Sequence, residues 1–301
     1  MMFDSYALLK LVLFEIEKNI KDKVNANSLA KAAALSPSHL QRLFRLAFEK
    51  PLASYIRSRK LAASIEVLLK TELRVIDIAE EYGFGYEQSY IRAFKREYGM
   101  TPGEARSCSQ IIRIVPPLLL LEKNKMGDGL FFGPEFVMVP EFHMVGRLHQ
   151  MPYDKSLEEA PKAAKHFWLN DRETIINRLG DDVYIGLTRI PRDDTGYSYY
   201  LPSVPVHKSK NPPQGLHNDV FSASLCAKFH YIGRHHYFDL NRDIAKGMYK
   251  SISAYAGDDG RYTLSVDSPY FERIDKSDYD GVFCKLEWFT PVTEKPVTEI
   301  D

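Results

Sequence analysis

Cysteine is scarce in this chain of 301 residues: Cys108, Cys226 and Cys284 lie far apart, and no C-x-x-C pair occurs. An odd, scattered set excludes a disulfide framework and a cysteine zinc site, and it predicts a reducing compartment. No basic segment precedes the first apolar stretch, which Glu15 and Glu17 interrupt, so a secretory leader is not expected. Long apolar runs are missing as well. Residues 111–121 are the greasiest and fall short of the roughly 20 needed to cross a bilayer, and Arg113, Pro116 and Pro117 break them. No membrane partner is expected, and the chain reads as cytoplasmic. Neither sign of charge prevails, with 40 Lys/Arg against 40 Asp/Glu. Patterns for a nucleophile elbow, a P-loop or a dinucleotide fold are absent. His230, His235 and His236 lack an adjacent carboxylate to complete a metal set and read as ordinary strand histidines. No catalytic residue, metal ligand or cofactor is assigned.

What is present divides into two halves. A hydrophobic content of 45% is that of a folded, globular chain, and the length predicts two domains. Residues 1–109 hold 17 Lys/Arg and 13 Asp/Glu, an excess of four positive charges that suits a polyanion partner. Helical periodicity dominates this half. Leu9, Val12, Leu13, Ile16 and Ile20 share one face of a first helix, and Asn27 or Ser28 is expected to cap a second over 29–34. Ser36 caps a third, with Pro37 in its first turn. A long helix is expected over 52–70. Residues 76–106 then read as helix, tight turn at Gly83, helix, and a stop at Gly99 and Pro102.

That last stretch has an upstream copy. Leu29 and Ala30 match Ile78 and Ala79 at an offset of 49, and Leu40, Arg42 and Phe44 match Tyr90, Arg92 and Phe94 at an offset of 50. Two short helices joined by a tight turn, the second rich in amide and guanidinium groups, are the sequence form of a helix-turn-helix. Two such motifs on a long spacer helix could read adjacent DNA half-sites, about 34 Å apart, from one polypeptide.

The motifs LSPSHLQRLF (35–44), YIRSRKLAAS (55–64) and VIDIAEEYGF (75–84), with the closing Phe94, Lys95, Gly99, Thr101 and Pro102, resemble the DNA-binding domain of the AraC/XylS transcription regulators over about a third of the chain. The resemblance implies double-stranded DNA as partner. It puts Ser38, Gln41 and Arg42 on the first reading helix and Glu87, Gln88, Ser89 and Arg92 on the second. Arg45, Lys95 and Arg96 are expected to meet phosphates, which supply affinity without sequence choice. Recruitment of RNA polymerase, and hence activation, is implied by the family alone. Two positions depart from the pattern. Ala34 stands where the second copy has Gly83, at a cost of roughly 1 kcal/mol if the turn is left-handed. Glu87 stands where a neutral donor is frequent.

After residue 134 the pattern becomes strand-like. VGRLHQ (145–150) matches IGRHHY (232–237) at an offset of 87, and Trp168 aligns with Tyr255 at the same offset. Each copy reads as strand, helix and two further strands. This half resembles the GyrI-like effector-binding domain, related to the SOUL fold, on VGRLHQMPY, the repeat and the closing LEWFTP; Met151-Pro152-Tyr153 replaces the family's Gly-Pro-Tyr. The expected fold class is therefore an all-α double helix-turn-helix domain (1–107), a linker (108–134) and an α+β GyrI-like domain of two βαββ units (135–296).

Alternation along the last strand puts Val282, Cys284, Leu286 and Trp288 towards the helices and Phe283, Lys285, Glu287 and Phe289 on the opposite, groove face. Glu287 between Phe283 and Phe289 suits a small organic cation, with Trp168, Tyr184, Tyr197 and Tyr199 as candidate walls. Two alternatives stay open: a DNA-tethered hydrolase using Glu287 as base, and a protein-interaction module with no small ligand.

Overall fold

The computed structural model describes residues 5–22, 24–107, 112, 114–191, 196–207, 211–240, 242–255, 262–265, 268–279 and 281–294. They form two compact units, Met1–Glu122 and Lys123–Asp301. Cys108, Arg113, the side chain of Tyr255 and the expected domain end at 296 lie outside the described residues. Among the described residues no helix is long and apolar enough to cross a membrane.

The first unit is helical: α1 (Ser5–Lys18), α2 (Ala26–Ala32), α3 (Pro37–Phe48), α4 (Leu52–Lys70), α5 (Val75–Glu81), α6 (Glu87–Tyr98) and α7 (Pro102–Ser107). The cap of α2 differs from expectation. Asn25 takes that place, its side chain accepting from the backbone N–H of Asn27 and Ser28, while Ser28 Oγ accepts in return from the Asn25 N–H at 3.2 Å. This is a reciprocal capping box, in which Ser28 fills the third helical position and not the cap itself.

The two motifs superimpose bond for bond at their turns. Leu35 N–H donates to Ala30 O at 2.9 Å, and Phe84 N–H to Ala79 O at 2.8 Å. Both turns pass through a left-handed residue, Ala34 at φ +52° and Gly83 at φ +69°. The extra residue of the second copy is Gly85, between Phe84 and the N-cap residue Tyr86 of α6. Leu29, Ala30, Leu40 and Phe44 are buried, as are their counterparts Ile78, Ala79, Tyr90 and Phe94. The spacer α4 rises about 28 Å along its axis. It is tied to α6 by Ser64 Oγ and Tyr90 OH at 2.9 Å, and to α1 by Arg59, whose guanidinium holds Glu17 at 2.7–2.8 Å.

The segment expected as a linker over 108–134 divides between the units. Val115 O accepts from Arg59 at 2.5 Å, Leu118 N–H donates to Tyr55 OH at 2.9 Å, and Leu120 is buried, so this apolar stretch covers the first unit. From residue 125 the chain is already strand. Leu120, Leu130 and Phe131 are buried, which a free tether would not allow.

Among the described residues the second unit is an antiparallel sheet with two α-helices. Its elements are β1 (Lys125–Met126), β2 (Gly129–Val139), β3 (Phe142–Gly146), β4 (His149–Pro152), α8 (Ser156–Asn170), β5 (Val183–Arg189), β6 (Tyr197–Val206), β7 (His217–Phe221), β8 (Ser224–Gly233), α9 (Arg242–Tyr255), β9 (Tyr262–Leu264), β10 (Tyr270–Asp275) and β11 (Cys284–Glu294). The strand order is β1-β2-β8-β11-β10-β5-β6-β3-β7, with β4 on β6 and β9 on β11. The segment β3-α8-β5-β6 contributes three neighbouring strands, and β8-α9-β10-β11 contributes three more in mirrored order. The two sets meet where β10 pairs with β5. On the helix side a core forms around Phe167, Trp168, Tyr184, Met248 and Trp288. On the opposite face Ile185, Leu187, Leu201, Phe221 and Phe271 make a second apolar layer.

Candidate functional site

In the first unit the residues expected to contact DNA sit on α3 and α6. Ser38, Gln41 and Arg45 on α3 are exposed and Arg42 is half-buried; on α6 Gln88, Arg92, Lys95 and Arg96 are exposed, and Glu87 and Ser89 are half-buried. The opposite face of each helix is core: Leu40, Leu43 and Phe44, then Tyr90, Ala93 and Phe94. Strong two-sidedness turns the polar stripe outward. Arg42 and Arg92 share a place in their motifs but not an environment, since the Arg92 Nε–H folds back onto Gln88 O at 3.2 Å.

In the second unit a cavity of about 290 Å³ opens between the two helices and the sheet, lined from α8, α9, β6, β10 and β11. At its wall stands Glu272, on the same strand face as Tyr270 and Ile274. Tyr200 OH donates to Glu272 Oε1 at 2.5 Å, and Tyr184 and Tyr200 hydroxyls lie 2.5 Å apart. Tyr249, Tyr270 and Trp288 add an aromatic wall, with Tyr249 edge-on to both others and its hydroxyl 3.3 Å from that of Tyr270. Burial pushes the Glu272 carboxyl up to about 7 against the opposing pull of the Tyr200 hydrogen bond. Burial likewise holds the phenols of Tyr184 and Tyr200 well above their usual range, so both stay neutral donors. Gly186, on the neighbouring β5, makes room for this arrangement: a Cβ there would stand 2.5 Å from Glu272 Oε1 and 2.7 Å from Tyr200 OH. Pro161 lies inside α8 and lines the cavity with Leu157, so it supplies no backbone N–H to the Leu157 carbonyl one turn back.

The residues expected to meet an effector lie outside this cavity, and Glu287 and Phe289 line a second hollow, on the helix-free face, with Phe142, Phe271, Lys228 and Arg273. None of Glu287, Phe289, Phe283, Trp168, Tyr184, Tyr197 and Tyr199 lines the cavity. Glu287 and Phe289 do share the helix-free face, as alternation required, but Glu287 is consumed there. Arg273 Nη1 reaches it at 2.8 Å, Lys285 Nζ at 3.0 Å and Lys228 Nζ at 3.2 Å. Burial would raise its carboxyl, but Lys285, Lys228 and Arg273 outweigh that and hold it below the usual carboxylate range. Two lysines meet Oε1 and the arginine Oε2, so the charge of this carboxylate is already offset within the protein, which weakens both its attraction for an organic cation and its basicity. Phe289 stacks on Phe271 at 4.7 Å. Phe283 is buried. Trp168 packs in the core beneath Arg172, 4.2 Å from the ring centre. Tyr184 stands behind the cavity and bonds Tyr200. Tyr197 and Tyr199 point away, because Ser198 and Tyr200 take the cavity face of β6.

Glu272, Tyr200, Tyr249 and Tyr270 escaped sequence reasoning. Two signals were available: a carboxylate on the apolar face of YFERID (270–275), and a glycine in the middle of an otherwise apolar strand.

Similarity to known proteins is strongest in the first unit, and one relative spans both. The family described as a helix-turn-helix domain matches residues 29–107. Transcriptional regulator Rob of Salmonella typhimurium is 27% identical over 245 residues, 76% of this chain and 80% of that protein. The HTH-type transcriptional activator AarP of Providencia stuartii is 34% identical over 96 residues, 32% of this chain and 71% of its own length. Regulatory protein SoxS of Salmonella typhimurium is 35% identical over 91 residues, 30% of this chain and 85% of its own length. With paired turns, paired cores and paired polar stripes already in place, this chain belongs to the AraC/XylS family of DNA-binding transcription regulators.

Proposed function

We propose that the chain is a ligand-responsive regulator whose second unit binds an organic cation at Glu272. The observation that carries this reading is a carboxyl without an ion-pair partner in a largely aromatic cavity, whose lining includes one basic residue, the exposed Lys246. No salt bridge to Glu272 occurs among the described residues, and its one recorded partner is a neutral phenol. A cation entering the cavity replaces that missing charge and meets the faces of Tyr249, Tyr270 and Trp288, an arrangement that favours flat or quaternary cations over metal ions. The resemblance of this half to GyrI-like effector-binding domains supports the same role. In the first unit, Gln41, Arg42, Gln88 and Arg92 read base edges, Arg45, Lys95 and Arg96 hold phosphates, and the bound chain activates transcription through RNA polymerase.

Calorimetric titration at pH 8 with benzyltrimethylammonium and larger aryl ammonium ions, against uncharged isosteres, tests the ligand half. Wild type binds the cations and not the isosteres, and Glu272→Gln loses at least tenfold in affinity, about 1.4 kcal/mol. Equal binding of charged and neutral ligands, or an unaffected Glu272→Gln protein, refutes the reading.

A further inference from the structure

Tyr86 is the residue just before α6, at its N-cap position, and it is 78% exposed. It makes no side-chain cap hydrogen bond. Its counterpart at the offset of 50 is Ser36, whose Oγ accepts from the His39 N–H at 3.3 Å and caps α3. The second motif therefore forgoes a cap that the first one has and displays a large aromatic ring to solvent instead. Neither local stability nor core packing accounts for that: serine at an N-cap is favoured over a side chain without a hydrogen-bonding reach, and an exposed ring gains nothing in the free protein. In a helix-turn-helix the residues at the N-terminal end of the reading helix come nearest the base edges. Tyr86 stands there beside Gln88, and Gly85 before it carries no side chain to obstruct the approach.

We infer that Tyr86 is a specificity-determining DNA contact, its ring packing against the C5-methyl group of a thymine in the major groove. A phenol ring offers an apolar surface of the kind that reads this methyl, the apolar group that marks thymine in the major groove. The two motifs would then read by different chemistry. α3 relies on polar side chains, with Ser36 committed to the cap. α6 adds an apolar reader at the cost of its cap. This rests on α6 entering the major groove, as membership of the family implies.

The test begins with a duplex selected by the wild-type protein from a random library. Thymines in that duplex are replaced one at a time by deoxyuridine, which removes only the methyl. Affinities are then measured for wild type, Tyr86→Phe and Tyr86→Ser, alongside their melting temperatures. The expected result is a loss of about tenfold for wild type at one thymine. Tyr86→Phe shows the same loss at the same position, because the ring is kept. Tyr86→Ser binds the thymine duplex about tenfold more weakly, is indifferent to the methyl, and melts no lower than wild type because the cap is restored. Two outcomes overturn the inference: a Tyr86→Ser protein that keeps wild-type affinity and methyl sensitivity, or a Tyr86→Phe protein as weak as Tyr86→Ser, which assigns the contact to the hydroxyl. If Tyr86→Ser does not fold, the Tyr86→Phe comparison and the wild-type scan decide it. Failure of the wild-type protein to select any duplex counts against DNA reading as a whole and is thereby distinguished.

Discussion

Both units carry an internal repeat, and they use it in opposite ways. In the first, each copy is complete: α2 with α3, and α5 with α6, each builds its own core and presents its own polar stripe. In the second, neither copy holds the cavity. Glu272 and Trp288 come from one strand set, Tyr200 and Gly186 from the other, and they meet because β10 pairs with β5. A function written within one copy recurs at a fixed offset. A function written at the junction of two copies has no offset to reveal it.

The sharpest way to break this contrast is through the two carboxylates of the second unit. Glu287→Gln leaves Arg273, Lys228 and Lys285 facing one another in a largely buried site, and it should cost about 3 kcal/mol in chemical denaturation. Cation affinity should stay at the wild-type value, since Glu287 lies on the other face. A loss of affinity with stability intact would move the site to the helix-free face and end the junction argument. The second test is pH. A cation at Glu272 requires the ionised carboxyl, which is raised to about 7. Binding must therefore strengthen as pH rises and level off above 7. At pH 5 the apparent affinity should be about 100-fold weaker than at pH 8. For folding alone the sign is opposite: a raised carboxyl pKa favours the folded state below its unfolded range near 4.5, and that contribution is lost as pH rises through 7. Ligand-free protein should thus be less stable at pH 8 than at pH 5 from this group, while saturating cation reverses part of the trend. A thermal-melt series with and without ligand checks both.

In the first unit, equivalence of the copies predicts smaller effects of a different kind. Arg92→Ala should relax discrimination at one base pair by about 1–3 kcal/mol, and Lys95→Ala should weaken specific and random duplexes alike and flatten the salt dependence. Equal losses on both kinds of DNA for Arg92→Ala would remove it from base reading. Smallest is the pair of turns. Ala34 at φ +52° bears left-handed strain, so Ala34→Gly should raise stability by up to about 1 kcal/mol. Gly83→Ala should lose more than that, because its Cβ would stand 2.7 Å from Lys60 Nζ and 3.0 Å from Asp22 O. Calorimetric melting of the two variants ranks the turns directly.

The sequence alone determined the first unit almost completely. Helix periods, the Ser36 cap, the left-handed turns and the offset of 50 are local patterns, and a helix bonds within four residues of itself, so local patterns suffice. It also determined which residues of β11 share a face, since alternation is a property of one strand. What it could not determine was how the charge of each carboxylate is offset. That depends on partners far away in the chain: three cations gathered about Glu287 from β8, β10 and β11, and a hollow beside Glu272 that exists because Gly186 lies on the adjoining strand. The charge available to a ligand is what remains after tertiary neighbours have taken their share. Only the folded sheet gathers three cations about Glu287 and leaves Glu272, among the described residues, with a neutral phenol as partner.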